Sequence, residues 1–240
     1  MKICVVGHTG FIGQTVYSYF INKYKTFGIN SKTKKMPSEK FDVIINCAGN
    51  SKKYSSEKNI NKVILANKSI INNILKLKTK KIIHISSIDA SFTPDNSYTI
   101  SKLNFEKLIK SYFSEATILR LGGLVGPGLK KNVVFDIKNN KNLFVTLDSI
   151  YNYISTKEVA KIIHKIIELN IHNKIINICS NNPISVQEII NEALKHSIIF
   201  TKKIGNKKEN YTNININNLK EFFTPKDSKY YINKYFTSCI

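Results

Sequence analysis

KICVVGHTGFIGQTVYSYF, residues 2–20, is the stretch that decides the fold. After Lys2, residues 3–6 are apolar without the alternation of a half-wetted strand, the pattern of a strand buried on both faces of a parallel sheet. The run passes straight into Gly7, Gly10 and Gly13, spaced G-x-x-G-x-x-G, and an apolar helix is predicted over residues 11–24. Glycines at this spacing permit a tight strand-to-helix turn and a close backbone approach. A pyrophosphate seated on the backbone N–H groups of a helix N-terminus is the ligand that such a turn suits. A strand before, a helix after and a place at the start of the sequence make this more than a glycine triplet.

Outward from this unit, residues 26–30 read as a second strand and residues 42–47 as a third. The third ends in Asn46-Cys47-Ala48-Gly49, where small residues let a cofactor lie close. A dinucleotide site usually carries an acidic residue at the end of its second strand to hold the ribose 2′-hydroxyl. Here the chain reads Ser31-Lys32-Thr33-Lys34-Lys35. A hydroxyl followed by ammonium groups fits a 2′-phosphate and favours NADP over NAD; the competing reading is an ordinary solvated lysine loop. A polar loop with Lys52, Lys53 and Ser55 comes next. Residues 61–77 then place Val63, Ile64, Ile70, Ile71, Ile74 and Leu75 on the broad buried face of a helix. Asn67 within it either braces the cofactor-binding loops or faces solvent.

Chemistry enters with KIIHISSIDASFTPDNSYTISKLNFE, residues 81–106. A buried strand ends in Ser86 and Ser87, and Pro94, Asp95 and Asn96 supply a turn. Tyr98 and Lys102 follow, four apart at the start of an amphipathic helix and so on one face. A tyrosine hydroxyl titrates near ~10, too high for a base at neutral pH, and a neighbouring ammonium lowers that value. A serine hydroxyl can meanwhile hold the reacting oxygen. Tyr19/Lys23, Tyr54/Lys58, Tyr153/Lys157 and Tyr230/Lys234 share the spacing. Only Tyr98/Lys102 follows a strand that ends in hydroxyls and opens a helix continuing with Leu103, Phe105 and Leu108.

Beyond this stretch, residues 117–121 form another buried strand leading into the glycine-rich residues 122–128. Arg120, the one arginine, suggests either a structural ion pair or a phosphate contact. Ser155 with Glu158, and Ser185 with Glu188, make capping boxes for helices to residues 169 and 196. Residues 175–179 read as a strand between them, residues 205–218 as a mobile asparagine-rich loop, and residues 219–223 and 227–236 as short helices. The histidines do not cluster and read as structural or surface residues.

The 240 residues carry 37 Lys+Arg against 16 Asp+Glu, a formal charge of +21. So basic a chain would ordinarily point to nucleic acid, yet its lysines are scattered, without a basic tail or an aromatic-interleaved stripe. Dedicated nucleic-acid binding is not expected, although a basic surface still attracts an anionic substrate. The four cysteines lack metal-ligand spacing and C-x-x-C pairing, so no metal site and a reducing, cytoplasmic setting are expected. No apolar run reaches transmembrane length, and no signal peptide is read at the start, so no membrane partner is expected.

Together, GHTGFIG at Gly7, DVIINCAG at Asp42, IIHISS ending at Ser87, YTISKLNFE starting at Tyr98, LRLGGLVGPG at Leu119 and INICSNNPISVQEI at Ile176 resemble the extended short-chain dehydrogenase/reductase superfamily. The branch is that of the nucleotide-sugar epimerases, dehydratases and 4-keto reductases. The resemblance implies a doubly wound, Rossmann-like α/β domain over residues 1–128. Residues 129–240 would form a small C-terminal α/β substrate lobe, partly interleaved with the first. It implies NAD(P)-dependent oxidoreduction of a nucleotide-linked sugar, first as a 4-keto reductase using NADP, alternatively as an NAD-retaining epimerase or dehydratase. A non-catalytic cofactor-binding scaffold is the reading from another class. Carried over, Ser87, Tyr98 and Lys102 are catalytic. Gly7, Thr9, Gly10, Phe11, Ile12, Gly13, Ser31, Lys32, Cys47, Ala48, Gly49 and Asn67 bind cofactor together with Tyr98 and Lys102. Partners are a small-molecule nucleotide sugar and at most a second copy of the chain in a homodimer. Three departures stand out: Ser91-Phe92 replaces the usual tyrosine-glycine pair, residues 31–41 are too short for the usual third strand, and the C-terminal lobe is small.

Overall fold

A computed structural model describes residues 1–51, 58–92 and 96–238. The expected loop residues Lys52, Lys53 and Ser55, the turn residues Pro94 and Asp95, and Cys239 lie outside the described residues. Strands β1 (Lys2–Val6), β2 (Lys25–Ile29), β3 (Val43–Asn46), β4 (Lys81–Ser87), β5 (Glu115–Leu121) and β9 (Ile175–Ile178) form one six-stranded sheet in the order β2-β1-β3-β4-β5-β9. The β1–β2, β1–β3, β3–β4 and β4–β5 pairings are all parallel. At the far edge the Ile118 N–H donates to Lys174 O and the Gly122 N–H to Ile178 O, 2.9 and 3.0 Å, so β9 runs in the same sense.

Helices cover both faces, as buried parallel strands require. On one face, α2 (Ile60–Leu75) and α3 (Ser97–Tyr112) bring Ile71, Ile74, Phe105 and Ile109 onto Cys4, Ile44, Ile82 and Ile118. On the other, α1 (Phe11–Ile21) buries Val16 and Phe20. The Phe20 ring meets the His164 ring of α5 (Thr156–Glu168) edge-on, 5.8 Å between centroids. Caps follow the sequence: Asn59 accepts from the Lys62 N–H at the start of α2, and Asn96 from the Thr99 N–H at the start of α3. The doubly wound α/β fold expected from the sequence is the fold observed. Between β2 and β3 stand only the residues 30–42, with no strand among them, so β2 is an edge of the sheet.

The chain divides into two compact units, residues 1–121 with 160–176, and residues 122–159 with 177–240. The second contains the parallel pair β6 (Gly123–Val125) and β8 (Tyr153–Ser155) and the antiparallel pair β7 (Ile150–Tyr151) and β10 (Ile184–Ser185). Around them lie α4 (Val133–Lys138), α6 (Val186–Lys195), α7 (Asn217–Lys220) and α8 (Ser228–Thr237). The capping box of Ser185 and Glu188 is present in full. One expectation is corrected here. Residues 205–218 are not a free loop, because Thr146 N–H donates to Lys207 O, Ile150 N–H to Glu209 O and Tyr211 N–H to Ile150 O, each at 2.9–3.0 Å. Tyr151 adds a hydroxyl bond to Glu209 at 2.8 Å and stacks on Tyr211. Among the described residues, no helix is long and apolar enough to cross a membrane.

Candidate active site

The glycine turn owes its shape to three different needs. Gly7 has φ +77°, and a Cβ there would lie 2.8 Å from the Ala48 backbone nitrogen. Gly13 is buried against the turn, where a Cβ would meet the Gly7 carbonyl oxygen at 2.1 Å. Gly10, the N-cap of α1, is exposed, and a Cβ there would have only Gly7 O nearby, at 3.3 Å. Gly7 and Gly13 are thus required by the protein's own packing, whereas the space above Gly10 is left for something else. No acidic residue stands in the first turn of α1, and the Gly10 N–H is already spent on Gly7 O at 2.9 Å, so the N–H groups of Thr9, Phe11 and Ile12 are the ones that face an anion-compatible field. A dinucleotide pyrophosphate fits this cradle.

The turn is continuous with the rest of the candidate site. Gly7 abuts Ala48 at the end of β3, and the Gly7 N–H is tied to Ile29 O at the end of β2, 2.7 Å. A Cβ on the neighbouring Gly49 would lie 3.9 Å from Lys102 Nζ. Lys102 Nζ in turn sits 5.4 Å from the centre of the Tyr98 ring. Lys102 and Tyr98 are 9% and 7% exposed, so both lie in a largely desolvated place. Ser87 closes the end of β4 and caps the 3-10 turn that follows it. All of these residues lie at the carboxyl ends of the parallel strands, where open α/β sheets bind ligands.

Three positions differ from a simple reading of the sequence. Ser31 and Lys32 are exposed just beyond β2, in a turn set by Asn30, whose Oδ1 accepts the Lys32 N–H at 2.8 Å. A neutral asparagine thus stands at the end of the second strand. Cys47 has its thiol pushed up to about 12 by burial, so it lines the site as an apolar group and not as a nucleophile. Asn67 is 4% exposed and its Oδ1 has no hydrogen-bond partner among the described residues. The solvent-facing alternative is therefore wrong, and no hydrogen bond of that oxygen links it to the glycine turn.

Polar residues behind the site, among them Asp89, Glu106 and His84, to which the sequence assigned no part in it, brace these elements. Ser86 Oγ donates to Glu106 Oε1 at 2.6 Å, and Arg120 grips the same carboxylate through Nε and Nη2 at 3.0 and 2.7 Å. Arg120 therefore serves a buried ion pair that anchors α3 to β4 and β5, not a phosphate. Ser87 Oγ donates to Asp89 Oδ2 at 2.7 Å. Asn46 Oδ1 accepts the Ala48 N–H at 3.0 Å, so its Nδ2 donates to His84 Nδ1, also 3.0 Å. Burial and then the Lys102 charge push His84 down to about 3, which keeps it neutral. Asn46 and His84 sat in apolar strands, and a polar pair inside such a run is the signal that could have marked them. Asp89 and Glu106 left no such signal, since their partners depend on the tertiary fold.

Comparison with known proteins agrees with this fold. The model of the NAD dependent epimerase/dehydratase family matches residues 3–179. A GDP-6-deoxy-D-talose 4-dehydrogenase from Aggregatibacter actinomycetemcomitans is 31% identical over 105 residues, 40% of this chain and 36% of that protein. The match thus spans little more than a third of that relative's length. A structure of RMD from Pseudomonas aeruginosa complexed with NADPH superposes with a TM-score of 0.79 at 15% identity, covering 100% of this chain and 99% of that one. A dTDP-4-dehydrorhamnose reductase from Clostridium acetobutylicum gives 0.80 at 18% identity, covering 100% and 99%. At these identities the structural likeness establishes the fold.

Proposed function

Because the chain belongs to the NAD dependent epimerase/dehydratase family, we propose that it is an NADP-dependent oxidoreductase acting on a nucleotide-linked sugar, in the first place as a 4-keto reductase. The observation that carries the proposal is the unbroken path from the glycine turn through Ala48 and Gly49 to Lys102 and Tyr98. In this reading the N–H groups of Thr9, Phe11 and Ile12 hold the pyrophosphate, Gly10 gives it room to approach, and residues 47–49 and Asn67 shape the floor. Ser31 and Lys32 meet the 2′-phosphate. When bound, the nicotinamide supplies the hydride that reaches the sugar carbon.

The chain's own residues manage the proton. Tyr98 delivers it to the oxygen of the carbonyl being reduced, and Ser87 lies at the same oxygen. Lys102 holds the nicotinamide ribose, and its ammonium stabilises negative charge on the Tyr98 oxygen across a poorly solvated gap. His84, held neutral beneath Lys102, adds no second positive charge there. The unit of residues 122–159 and 177–240 is the substrate-binding lobe. The relative that acts on GDP-6-deoxy-D-talose makes its C4 ketone a reasonable first substrate.

The test is to mix the purified chain with NADPH and nucleotide-linked 4-keto-6-deoxy sugars carrying GDP or dTDP. Stoichiometric NADPH oxidation is expected. Interconversion of 4-epimers without net NADPH consumption would replace the reductase with an epimerase, and binding without turnover would support the scaffold reading. Tyr98→Phe deletes only the proton-carrying oxygen. It should leave NADPH affinity within about threefold and reduce turnover at least about 100-fold, in line with the usual worth of a general acid.

A further inference from the structure

We infer that Asp89 sets the hydrogen-bonding polarity of Ser87, holding its hydroxyl as an acceptor and so restraining its ability to donate to a substrate oxygen. The inference rests on the proposed reading of Ser87 as a substrate-facing group. A serine hydroxyl has one proton and two lone pairs. The proton points at Asp89 Oδ2, 2.7 Å away, and one lone pair faces the Asp89 N–H at 3.4 Å. An ionised carboxylate can only accept, so the direction of the short bond is fixed. Such charge-assisted bonds are roughly twice as strong as neutral ones. One lone pair is all that Ser87 has left for a ligand.

The placement is enforced by the backbone. Ser87 caps a 3-10 turn, Ile88–Ser91, whose Ile88 and Ala90 are buried, so Asp89 is presented to the Ser87 hydroxyl by the turn itself. Ser86 cannot take over, because its proton is committed to Glu106 in the ion pair with Arg120. During hydride transfer the substrate oxygen gathers negative charge and is stabilised by hydrogen-bond donors. Tyr98 supplies one donor. Ser87 supplies a second only after its bond to Asp89 is exchanged. An alcohol brings its own proton and matches the remaining lone pair of Ser87. A ketone offers only lone pairs and does not. Asp89 is thus a positioning residue that favours the alcohol partner in the resting site and slows reduction of the ketone.

Asp89→Asn tests this, since a carboxamide can donate to Ser87 Oγ and release the serine proton toward the substrate. With NADPH and a GDP-linked 4-keto-6-deoxy sugar, kcat for reduction should rise about tenfold, a modest share of what one oxyanion donor is worth. KM for the ketone should fall. Asp89→Ala, which simply frees Ser87, should act in the same direction. The gain should vanish in Ser87→Ala/Asp89→Asn. An unchanged or lower kcat in both Asp89 variants overturns the inference, because a merely structural aspartate could only lose activity on replacement.

A second readout needs no turnover. In thermal unfolding of the full chain, Ser87→Ala, Asp89→Ala and their combination should be non-additive, the double variant losing little more than the worse single one. Additive losses show that the two side chains are not joined in solution and overturn the inference, whatever the substrate. If Tyr98→Phe keeps its turnover, the proposed active site falls instead, while the unfolding cycle still reports on the Ser87–Asp89 bond.

Discussion

A Cβ added at Gly13 would lie 2.1 Å from the Gly7 carbonyl oxygen, whereas one added at Gly10 would lie 3.3 Å from it, a tight contact that a shift of a few tenths of an ångström relieves. These two glycines, three residues apart in one motif, should therefore fail differently when replaced. Gly13→Ala forces backbone apart at the seam of β1 and α1 and should cost about 3 kcal/mol or more, the upper end for overpacking, measured by urea denaturation. Gly10→Val should still fold and lose only about 1 kcal/mol, the low end for overpacking, because the N-cap backbone there is extended (φ −77°, ψ 168°) and the contact with Gly7 O is a slight one. It should nonetheless lose NADPH binding, since the branch enters the space kept for the pyrophosphate. Unchanged NADPH affinity in a folded Gly10→Val variant would show that the cofactor lies elsewhere. The sequence carried the glycine spacing in full but not this division of labour, which depends on Ala48 and the Gly7 carbonyl and so on the fold. Arg120 teaches the same lesson. Its partner Glu106 lies on another element, and nothing in the order of residues joined them.

At the scale of elements, two predictions concern the ends of β2 and the middle of β4. Beyond β2, Asn30 carries no charge and its side chain is occupied in holding the Lys32 N–H. If Ser31 and Lys32 receive the 2′-phosphate, each charge-assisted hydrogen bond favours NADP by about 1.5–3 kcal/mol, or roughly tenfold to a hundredfold. Ser31→Asp should reverse the preference, read as the ratio of the two cofactor dissociation constants. Equal affinities in the unaltered chain would move the epimerase reading ahead. On β4, His84 is neutral at 1% exposure, lowered by burial first and Lys102 second to about 3. In the unfolded chain a histidine titrates near ~6.5. Between those values the unfolded chain binds the proton and the folded chain does not. Stability is therefore full above pH ~6.5 and declines as the pH falls toward 3. Carboxylates held low by their partners, Glu39, Asp148, Glu188 and Glu192, add their own losses only below about 4.5. Urea midpoints should thus slope between pH 6.5 and 5 in the unaltered chain and run nearly flat in His84→Gln. Elements with strong periodicity or caps were legible in advance, to within three residues at their ends, the helix expected over 11–24 stopping at Ile21. Residues 205–218 were not, because their order comes from backbone bonds to residues 146–150, and asparagine-rich sequence gives no sign of a distant backbone partner.

For the whole molecule, the formal charge of +21 acts against compactness. Some of it is locally relieved, as where Glu39 lies 2.8 Å from Lys2 and 3.5 Å from Lys25, yet such exposed pairs are individually weak. Screening should help more than it harms. Raising NaCl from about 20 to about 200 mM shortens the Debye length from roughly 20 to roughly 7 Å and should raise the melting temperature by about 2–6 °C. A fall would mean that specific ion pairs outweigh the general repulsion. The order β2-β1-β3-β4-β5-β9 has a consequence of another kind, for the chain as it is made. The first five strands lie within residues 2–121 and can pair as they leave the ribosome, but the free edge of β5 must wait for Ile175–Ile178. At ~5–20 residues per second, that is an interval of several seconds in which a row of unpaired backbone groups faces solvent or the next chain on the message. A nascent chain stalled near residue 150 should therefore be far more prone to aggregate, or to recruit chaperones, than one stalled beyond residue 220.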